Sequence, residues 1–291
     1  MVLQVFKATE AGYCFGVRDA VDLALQAADD AKSAGARLYA YGPIIHNDHV
    51  VQRLETRGVK IIDSLRDVAA TGLNEPPPRI IIRAHGITKE DLAYAAERGF
   101  VMIDATCPLV TRPQELAAQF SREGYAVLCV GDRDHPEIRG VLSYVDGRKA
   151  AIQTPEELDT LVDWPPTRKV ALVPQTTLQR EDLAKVAAAA IMRFAEVRVI
   201  NTICRATKDR QDAAHELATK VEAMVVIGGK HSANSRHLAD ICREQGVKTF
   251  HIADPSEVAG LDLQGIQAIG VTAGASTPDD LIDATIQKLS S

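Results

Sequence analysis

One structural unit occurs three times along this chain, and that repeat restricts the folds open to it more than any other feature. Each copy reads as an apolar stretch, a cysteine, an amphipathic helical pattern, a β-branched strand and a glycine turn. The stretches are Val2-Leu3-Gln4-Val5-Phe6, Phe100-Val101-Met102-Ile103 and Val197-Arg198-Val199-Ile200, and they lead to Cys14, Cys107 and Cys204. The helical patterns run over Val17–Ala31, with Val21, Leu25 and Ala28 on one face, over Pro113–Arg122, and through Ala213 and Leu217. The strands that follow are Leu38–Tyr41, Ala126–Val130 and Met224–Ile227, ending on Gly42-Pro43, Gly131 and Gly228-Gly229. Short β-branched runs alternating with Ala/Leu-rich helices predict an α/β protein with largely parallel sheets.

Polar clusters keep the same register. After the glycine turns come Ile45-His46-Asn47, Asp134-His135-Pro136-Glu137 and His231-Ser232-Ala233-Asn234. His46, His135 and Asn234 fall 32, 28 and 30 residues after their cysteines. A later strand in each copy ends in Arg83-Ala84-His85-Gly86, Pro174-Gln175-Thr176-Thr177 or Ala273-Gly274-Ala275-Ser276, with His85, Thr176 and Ser276 at offsets of 71, 69 and 72. Clusters just past the carboxyl ends of strands stand where open parallel sheets place their ligand sites. Recurrence of this kind predicts three similar α/β domains, 1–105, 106–202 and 203–291, each with one of the three cysteines. The Pro-rich loops Gly72–Pro78 and Trp164-Pro165-Pro166 lie inside the first two units and are too short to separate domains.

At 291 residues the chain is long enough for two or three domains and a sizeable core. A net charge of −6 argues against a general nucleic-acid binder. No apolar run approaches the ~20 residues of a membrane span, and Met1–Lys7 shows no secretory signal pattern. Five cysteines without such a signal read as reduced thiols, and the expectation is a cytoplasmic protein.

Three thiols on three repeated units suit one metal site. They fit zinc with an open fourth position, or a cubane iron–sulfur cluster bound through three irons; spacing does not separate the two. Cys129, inside an apolar strand, and Cys242, beside Leu238 and Ile241 in the helical stretch Ser235–Gln245, read as small hydrophobes. His46, His85, His135, Ser232, Asn234 and Ser276 form a donor-rich set suited to a phosphate or diphosphate. No GxxxxGK[ST] sequence is present, which excludes a P-loop nucleoside triphosphatase. Asp134 and Glu137 are the carboxylates able to relay protons, and spacing alone does not choose between them; Asp134 could equally cap a helix. His49, His215, His237 and His251 lie outside the repeated clusters and read as cap or surface residues.

Several stretches together resemble the LytB/IspH family of hydroxymethylbutenyl diphosphate reductases. They are Ala11-Gly12-Tyr13-Cys14-Phe15-Gly16-Val17, Gly42-Pro43-Ile44-Ile45-His46-Asn47, Arg83-Ala84-His85-Gly86 and Asp104-Ala105-Thr106-Cys107-Pro108. Gly131-Asp132, His135-Pro136-Glu137, Gln175-Thr176-Thr177, Asn201-Thr202-Ile203-Cys204, Ala206-Thr207 and Ser232-Ala233-Asn234-Ser235 complete the match, from about residue 8 to residue 282. The resemblance implies three domains arranged pseudo-threefold around a central iron–sulfur site. It implies reductive dehydroxylation of an allylic diphosphate to isopentenyl and dimethylallyl diphosphates, the last step of the non-mevalonate pathway. By motif, Cys14, Cys107 and Cys204 would hold a [4Fe–4S] cluster, and His46, His85, Ser232, Asn234 and Ser276 the diphosphate. His135 would touch substrate, and Glu137 with Thr176 would deliver protons, Thr176 being preferred to the adjacent Thr177. A ferredoxin or flavodoxin would be the electron donor, and a monomer is the simplest assembly.

The chain departs from the family pattern at Ala233, where many members carry a second serine, at Thr111-Arg112-Pro113, and at Asp48-His49. Pro113 fits only the first turn of a helix. These departures bear on substrate affinity more than on reaction type. The competing readings are a zinc-dependent hydrolase of a phosphorylated substrate, which lacks the usual His-rich ligand set, and a non-enzymatic iron–sulfur sensor or diphosphate-binding protein.

Overall fold

A computed structural model describes residues 3–69, 72, 75–230 and 232–291. His231 of the third polar cluster and residues 73 and 74 of the first Pro-rich loop lie outside the described residues. In chain order the first elements are β1 (Gln4–Lys7), α1 (Phe15–Ser33), β2 (Leu38–Tyr41), α2 (Asp48–Glu55), β3 (Lys60–Ile62), β4 (Arg79–Ile82) and α3 (Lys89–Glu97). Next come β5 (Val101–Asp104), α4 (Pro108–Arg122), β6 (Ala126–Val130), α5 (Pro136–Ser143), β7 (Lys149–Ile152), β8 (Lys169–Pro174), α6 (Arg180–Arg193) and β9 (Glu196–Val199). The chain closes with α7 (Arg205–Ala218), β10 (Ala223–Ile227), α8 (Ala233–Glu244), β11 (Lys248–Ile252), β12 (Ala268–Ala273) and α9 (Asp279–Ser290).

The strands form three four-stranded sheets, parallel throughout, in the orders β3-β2-β4-β5, β7-β6-β8-β9 and β11-β10-β12-β1. Numbered in chain order within its sheet, each of the first two reads 2-1-3-4, and the third does so with β1 counted last. The α/β architecture in three similar sheets is therefore as the repeat implies. Sheet membership adds something that the repeat conceals. The fourth strand of each sheet is the apolar stretch before a cysteine, so β5 precedes Cys107 and β9 precedes Cys204. For the C-terminal sheet the fourth strand is β1, the start of the chain, paired along Gln4–Lys7 with Ala268–Val271. The stretch 1–105 therefore opens on a strand that belongs with β10–β12.

By compactness the chain divides into two units. One comprises Met1–Val21, Ile45–Thr56 and Arg205–Ser291, and holds the sheet with β1. The other comprises Asp22–Ile44 and Arg57–Cys204, and holds the other two sheets.

Period-two alternation explains how one short strand serves two cores. Along β6, Ala126, Leu128 and Val130 join Trp164, Leu172, Leu183 and Phe194 on one face. Val127 and Cys129 face the other way, against Phe120, Ile138 and Val141 of α4 and α5. Along β10, Ala223, Val225 and Ile227 pack with Ile282 and Leu289 of α9, while Met224 and Val226 meet Ala214, Leu238 and Cys242. Helices thus cover both faces, as all-parallel sheets require. Among the described residues no helix is long and apolar enough to cross a membrane.

One helix starts earlier than its pattern predicts. α4 begins at Pro108 with Cys107 as N-cap, which puts Pro113 in the second turn instead of the first. Pro108 already occupies the first helical position, where a missing N–H costs no bond. Pro113 removes only the bond to the Leu109 carbonyl, and its ring is buried against the domain.

Candidate functional site

The 2-1-3-4 order creates a switch point in every sheet. Connections leave the two central strands toward opposite sides, and a crevice opens at their carboxyl ends. In the three sheets these pairs are β2 with β4, β6 with β8, and β10 with β12. Both polar clusters of each repeat lie at these ends, one past each central strand.

The first central strand always turns on its glycine. The N–H groups of Gly42, Gly131 and Gly228 donate to the carbonyls of Ile62, Ile152 and Ile252 at 2.8, 2.8 and 2.9 Å. At all three turns a side chain fills the space a Cβ would take: one on Gly42 would run into the Arg83 guanidinium, one on Gly131 would lie 2.6 Å from Gln175 Oε1, and one on Gly228 would run into Ser235 Oγ. Gln175 Oε1 accepts from the Asp132 N–H at 3.1 Å, tying the two crevice loops together.

The cluster after each glycine turn supplies the N-cap of a helix. Asn47 Oδ1 accepts from Val50 N–H at 3.2 Å at the start of α2, and Ser232 Oγ from Ser235 N–H at 3.4 Å at the start of α8. In α5 the cap is His135, whose Nδ1 accepts from Glu137 N–H at 3.2 Å. An accepting Nδ1 leaves the proton of a neutral His135 ring on Nε2. The cap reading of Asp134 is thereby corrected: Asp134 is exposed, its N–H bonded to Asp132 Oδ1 at 3.0 Å, and the neighbouring residue does the capping. The N-terminus of each of these helices presents main-chain donors of the kind that bind anions.

The cysteines bind back to the second clusters. Cys107 N–H donates to Ala84 O at 3.0 Å, Cys204 N–H to Thr176 O at 2.8 Å, and Cys14 N–H to Ala275 O at 3.4 Å. Each thiol stands at the N-terminus of α4, α7 or α1 and is half-buried. Cys129 and Cys242 are wholly buried in the strand and helix cores, as their apolar neighbours predict. Burial pushes the Cys129 thiol up, with a further contribution from Glu137 nearby.

The sequence-predicted residues divide between the two compact units. His85, Cys107, His135, Glu137, Thr176, Thr177 and Cys204 lie in one. There the rings of His85 and His135 meet edge to face, centroids 5.1 Å apart. Glu137 is 1% exposed, and Thr176 reaches it with the main-chain N–H at 2.6 Å from Oε1 and the hydroxyl at 2.7 Å from Oε2. Burial raises the Glu137 carboxyl from its ordinary value to about 7, against the two Thr176 bonds, which lower it. Thr176 is buried and Thr177 exposed, so only the former faces the carboxyl.

Cys14, His46, Ser232, Asn234 and Ser276 lie in the other unit. His46 is exposed, and its carbonyl lies 3.4 Å from where a Cβ on Gly229 would stand, which places it beside the third glycine turn. Asn234 follows the Ser232 cap, and both of its amide atoms are buried without a hydrogen-bond partner among the described residues. Ser276 is half-buried just past β12. Sequence reasoning missed Thr277, which is 1% exposed and donates to Ile227 O at 3.0 Å, clamping the two central strands. Its position beside Ser276 was the available signal. It missed a second group as well. Tyr41 donates to Asp91 at 2.7 Å beneath the Arg83 guanidinium, which lies 5.5 Å from the ring centre. Burial and the adjacent Asp91 push the Tyr41 phenol up to about 12.

A model of the family described as "LytB protein" matches residues 5–290. A 4-hydroxy-3-methylbut-2-enyl diphosphate reductase from Geobacter sp. (strain M21) is 43% identical over 288 residues, 99% of this chain and 97% of the relative. One from Geobacter sulfurreducens is 41% identical over 287 residues, with the same coverage. A solved structure of (E)-4-hydroxy-3-methyl-but-2-enyl diphosphate reductase, described as the terminal enzyme of the non-mevalonate pathway, superposes with a TM-score of 0.72 at 36% identity, covering 99% of both chains. The Plasmodium falciparum E-1-hydroxy-2-methyl-but-2-enyl-4-diphosphate reductase gives a TM-score of 0.86 at 26% identity, covering 99% of this chain and 88% of that one.

Proposed function

The chain belongs to the LytB protein family, and on that premise we propose that it reduces 4-hydroxy-3-methylbut-2-enyl diphosphate to isopentenyl and dimethylallyl diphosphates, the last step of the non-mevalonate pathway. It is an iron–sulfur oxidoreductase. The net reaction removes the allylic hydroxyl as water and takes up two electrons and two protons. The observation that carries this reading is the buried Glu137 carboxyl, raised to about 7 and bonded twice by Thr176 at a sheet switch point.

The thiols fit a [4Fe–4S] group with one open iron. Cys14, Cys107 and Cys204 are half-buried at strand ends, while the two remaining cysteines are sealed in cores. When bound by these three thiolates, the cluster supplies electrons and a Lewis-acidic iron for the substrate oxygen. The protein's own residues handle the protons and the anion. Near neutral pH Glu137 holds a proton that it can give up, which is what a general acid needs. In this reading the Thr176 hydroxyl, 2.7 Å from Oε2, accepts the Glu137 proton as it gives its own to the departing hydroxyl. With Nδ1 accepting at the helix cap, Nε2–H is the donor that a neutral His135 would offer to substrate. His46, His85, Ser232, Asn234 and Ser276 bind the diphosphate, with Thr177 at the margin; the unpartnered Asn234 amide supports this assignment.

Ferredoxin or flavodoxin is the proposed donor, the cytoplasm the proposed compartment and a monomer the proposed assembly. The three repeats are proposed to divide near residues 105 and 202, apart from the exchange of β1. The test is anaerobic turnover of the hydroxylated diphosphate with a reduced donor, together with iron and sulfide analysis. Formation of both products by an iron-loaded protein is expected. A colourless protein with stoichiometric zinc and no iron would overturn the reading.

A further inference from the structure

Gln114 lies on α4, seven residues past Cys107 and only 7% exposed, yet its Nε2 has no hydrogen-bond partner among the described residues. A Cβ on Gly86 would come within 2.7 Å of that nitrogen, and a Cβ on Gly140 within 3.2 Å. The amide therefore fills the gap between the segment carrying His85 and the helix α5 that His135 caps. Gly86 adopts φ +82°, a conformation that favours glycine, and lets this segment approach α4. The main-chain oxygens of Ile87 and His85 lie 3.6 and 4.0 Å from the same point on Gly140, so these acceptors border the gap that the amide fills.

Packing alone does not account for the residue. A buried amide without a partner is less favourable than an apolar side chain of its size, so a methionine here would serve the core better. We propose that Gln114 is a positioning residue: its amide, wedged between Gly86 and Gly140, sets the spacing of the His85 and His135 rings. Its donor engages a carbonyl of the His85–Ile87 segment when the diphosphate is bound. The inference rests on the assignment of both histidines to substrate.

The test uses the cluster-loaded enzyme and Gln114→Met, which keeps volume and removes the donor. The melting temperature should rise by about 2 °C or more, since an unmet buried donor is gone. KM for the diphosphate should rise about tenfold, the scale of one lost hydrogen bond, with kcat changed less than about threefold. In a His85→Ala background the same substitution should add less than about twofold to KM, because coupled residues are not additive. A residue that merely supports the fold would not show that coupling. An unchanged KM in Gln114→Met, or a full tenfold loss again in the His85→Ala background, overturns the proposal alone. An unchanged KM in His85→Ala overturns the histidine assignment and the proposal with it. If Gln114→Met does not load iron, Gln114→Leu is read by the same criteria.

Discussion

Thr176 meets the Glu137 carboxyl with both of its donors, one to each oxygen, and the pair is closed off from solvent at the carboxyl ends of β6 and β8. Two hydrogen bonds to a carboxyl ordinarily favour its charged form. Burial outweighs them, and the carboxyl ends near 7. That balance makes Glu137 a proton store at neutral pH, and it gives the first three predictions.

Glu137→Gln removes the proton and leaves the shape. Turnover should fall by about 10²-fold or more, the usual contribution of a positioned acid. Iron content and diphosphate affinity should stay within about twofold, as measured by iron analysis and anaerobic titration. An unchanged reduction rate would remove Glu137 from the proton path.

Stability should depend on pH through the same group. Its carboxyl is at about 7 in the folded protein against 4.5 ordinarily, so between those values the folded state binds more protons than the unfolded one. The contribution is fully present below about pH 4.5 and is lost as pH rises through about 7. At roughly 1.4 kcal/mol per unit the loss is about 3 kcal/mol. Denaturant melts of wild type and Glu137→Gln across this range should show a wild-type decline that the variant lacks. The proton-donating form disappears over the same interval, so kcat should fall on the alkaline side.

Thr176→Val deletes the hydroxyl while the main-chain N–H bond to Oε1 remains. The lost bond had lowered the carboxyl, so the alkaline limb of kcat should move to higher pH. Turnover should drop at least about tenfold, because the relay atom is gone. Thr176→Ser should keep both the limb and the rate within about threefold. A valine variant with an unshifted limb would mean that the hydroxyl does not act on Glu137.

The strands and helices of these units were legible because β-branched runs and Ala/Leu-rich faces have different periods; Ala126–Val130 is a strand with the boundaries expected of it. Sheet membership was less so. The pairing of Gln4–Lys7 with Ala268–Val271 joins the two ends of the chain, and four residues of an edge strand carry no mark of their partner. Offsets counted from the cysteines found the clusters but not the helix caps, which fall at Asn47, His135 and Ser232. Nor could spacing choose between Asp134 and Glu137. That choice depends on burial, since Asp134 is exposed on a turn while Glu137 lies under Thr176.

Burial likewise separates the five thiols. Cys14→Ser, Cys107→Ser and Cys204→Ser should each lose most of the iron, because a hydroxyl is a poor substitute for a thiolate ligand. Cys129→Ala and Cys242→Ala should retain iron and lose about 1–2 kcal/mol of stability from the small cavity each leaves. Iron analysis and denaturant melts of all five variants check the division. A full complement of iron in any of the first three would exclude that cysteine from the cluster.

Gly140→Ala sets helix propensity against site geometry. Gly140 lies inside α5, where alanine stabilises a helix by about 1 kcal/mol over glycine. The new methyl would stand 3.2 Å from Gln114 Nε2, tighter than ordinary contact, so the amide or the His85 segment must give way. The two effects oppose in the fold and do not oppose at the site. The melting temperature should move by less than about 3 °C, while KM for the diphosphate rises several-fold through the altered His85–His135 spacing. Combining Gly140→Ala with Gln114→Ala removes the crowding, so the alanine at 140 should then raise KM no further. If Gly140→Ala alone leaves KM unchanged, the glycine serves the helix packing and not the spacing of the two rings.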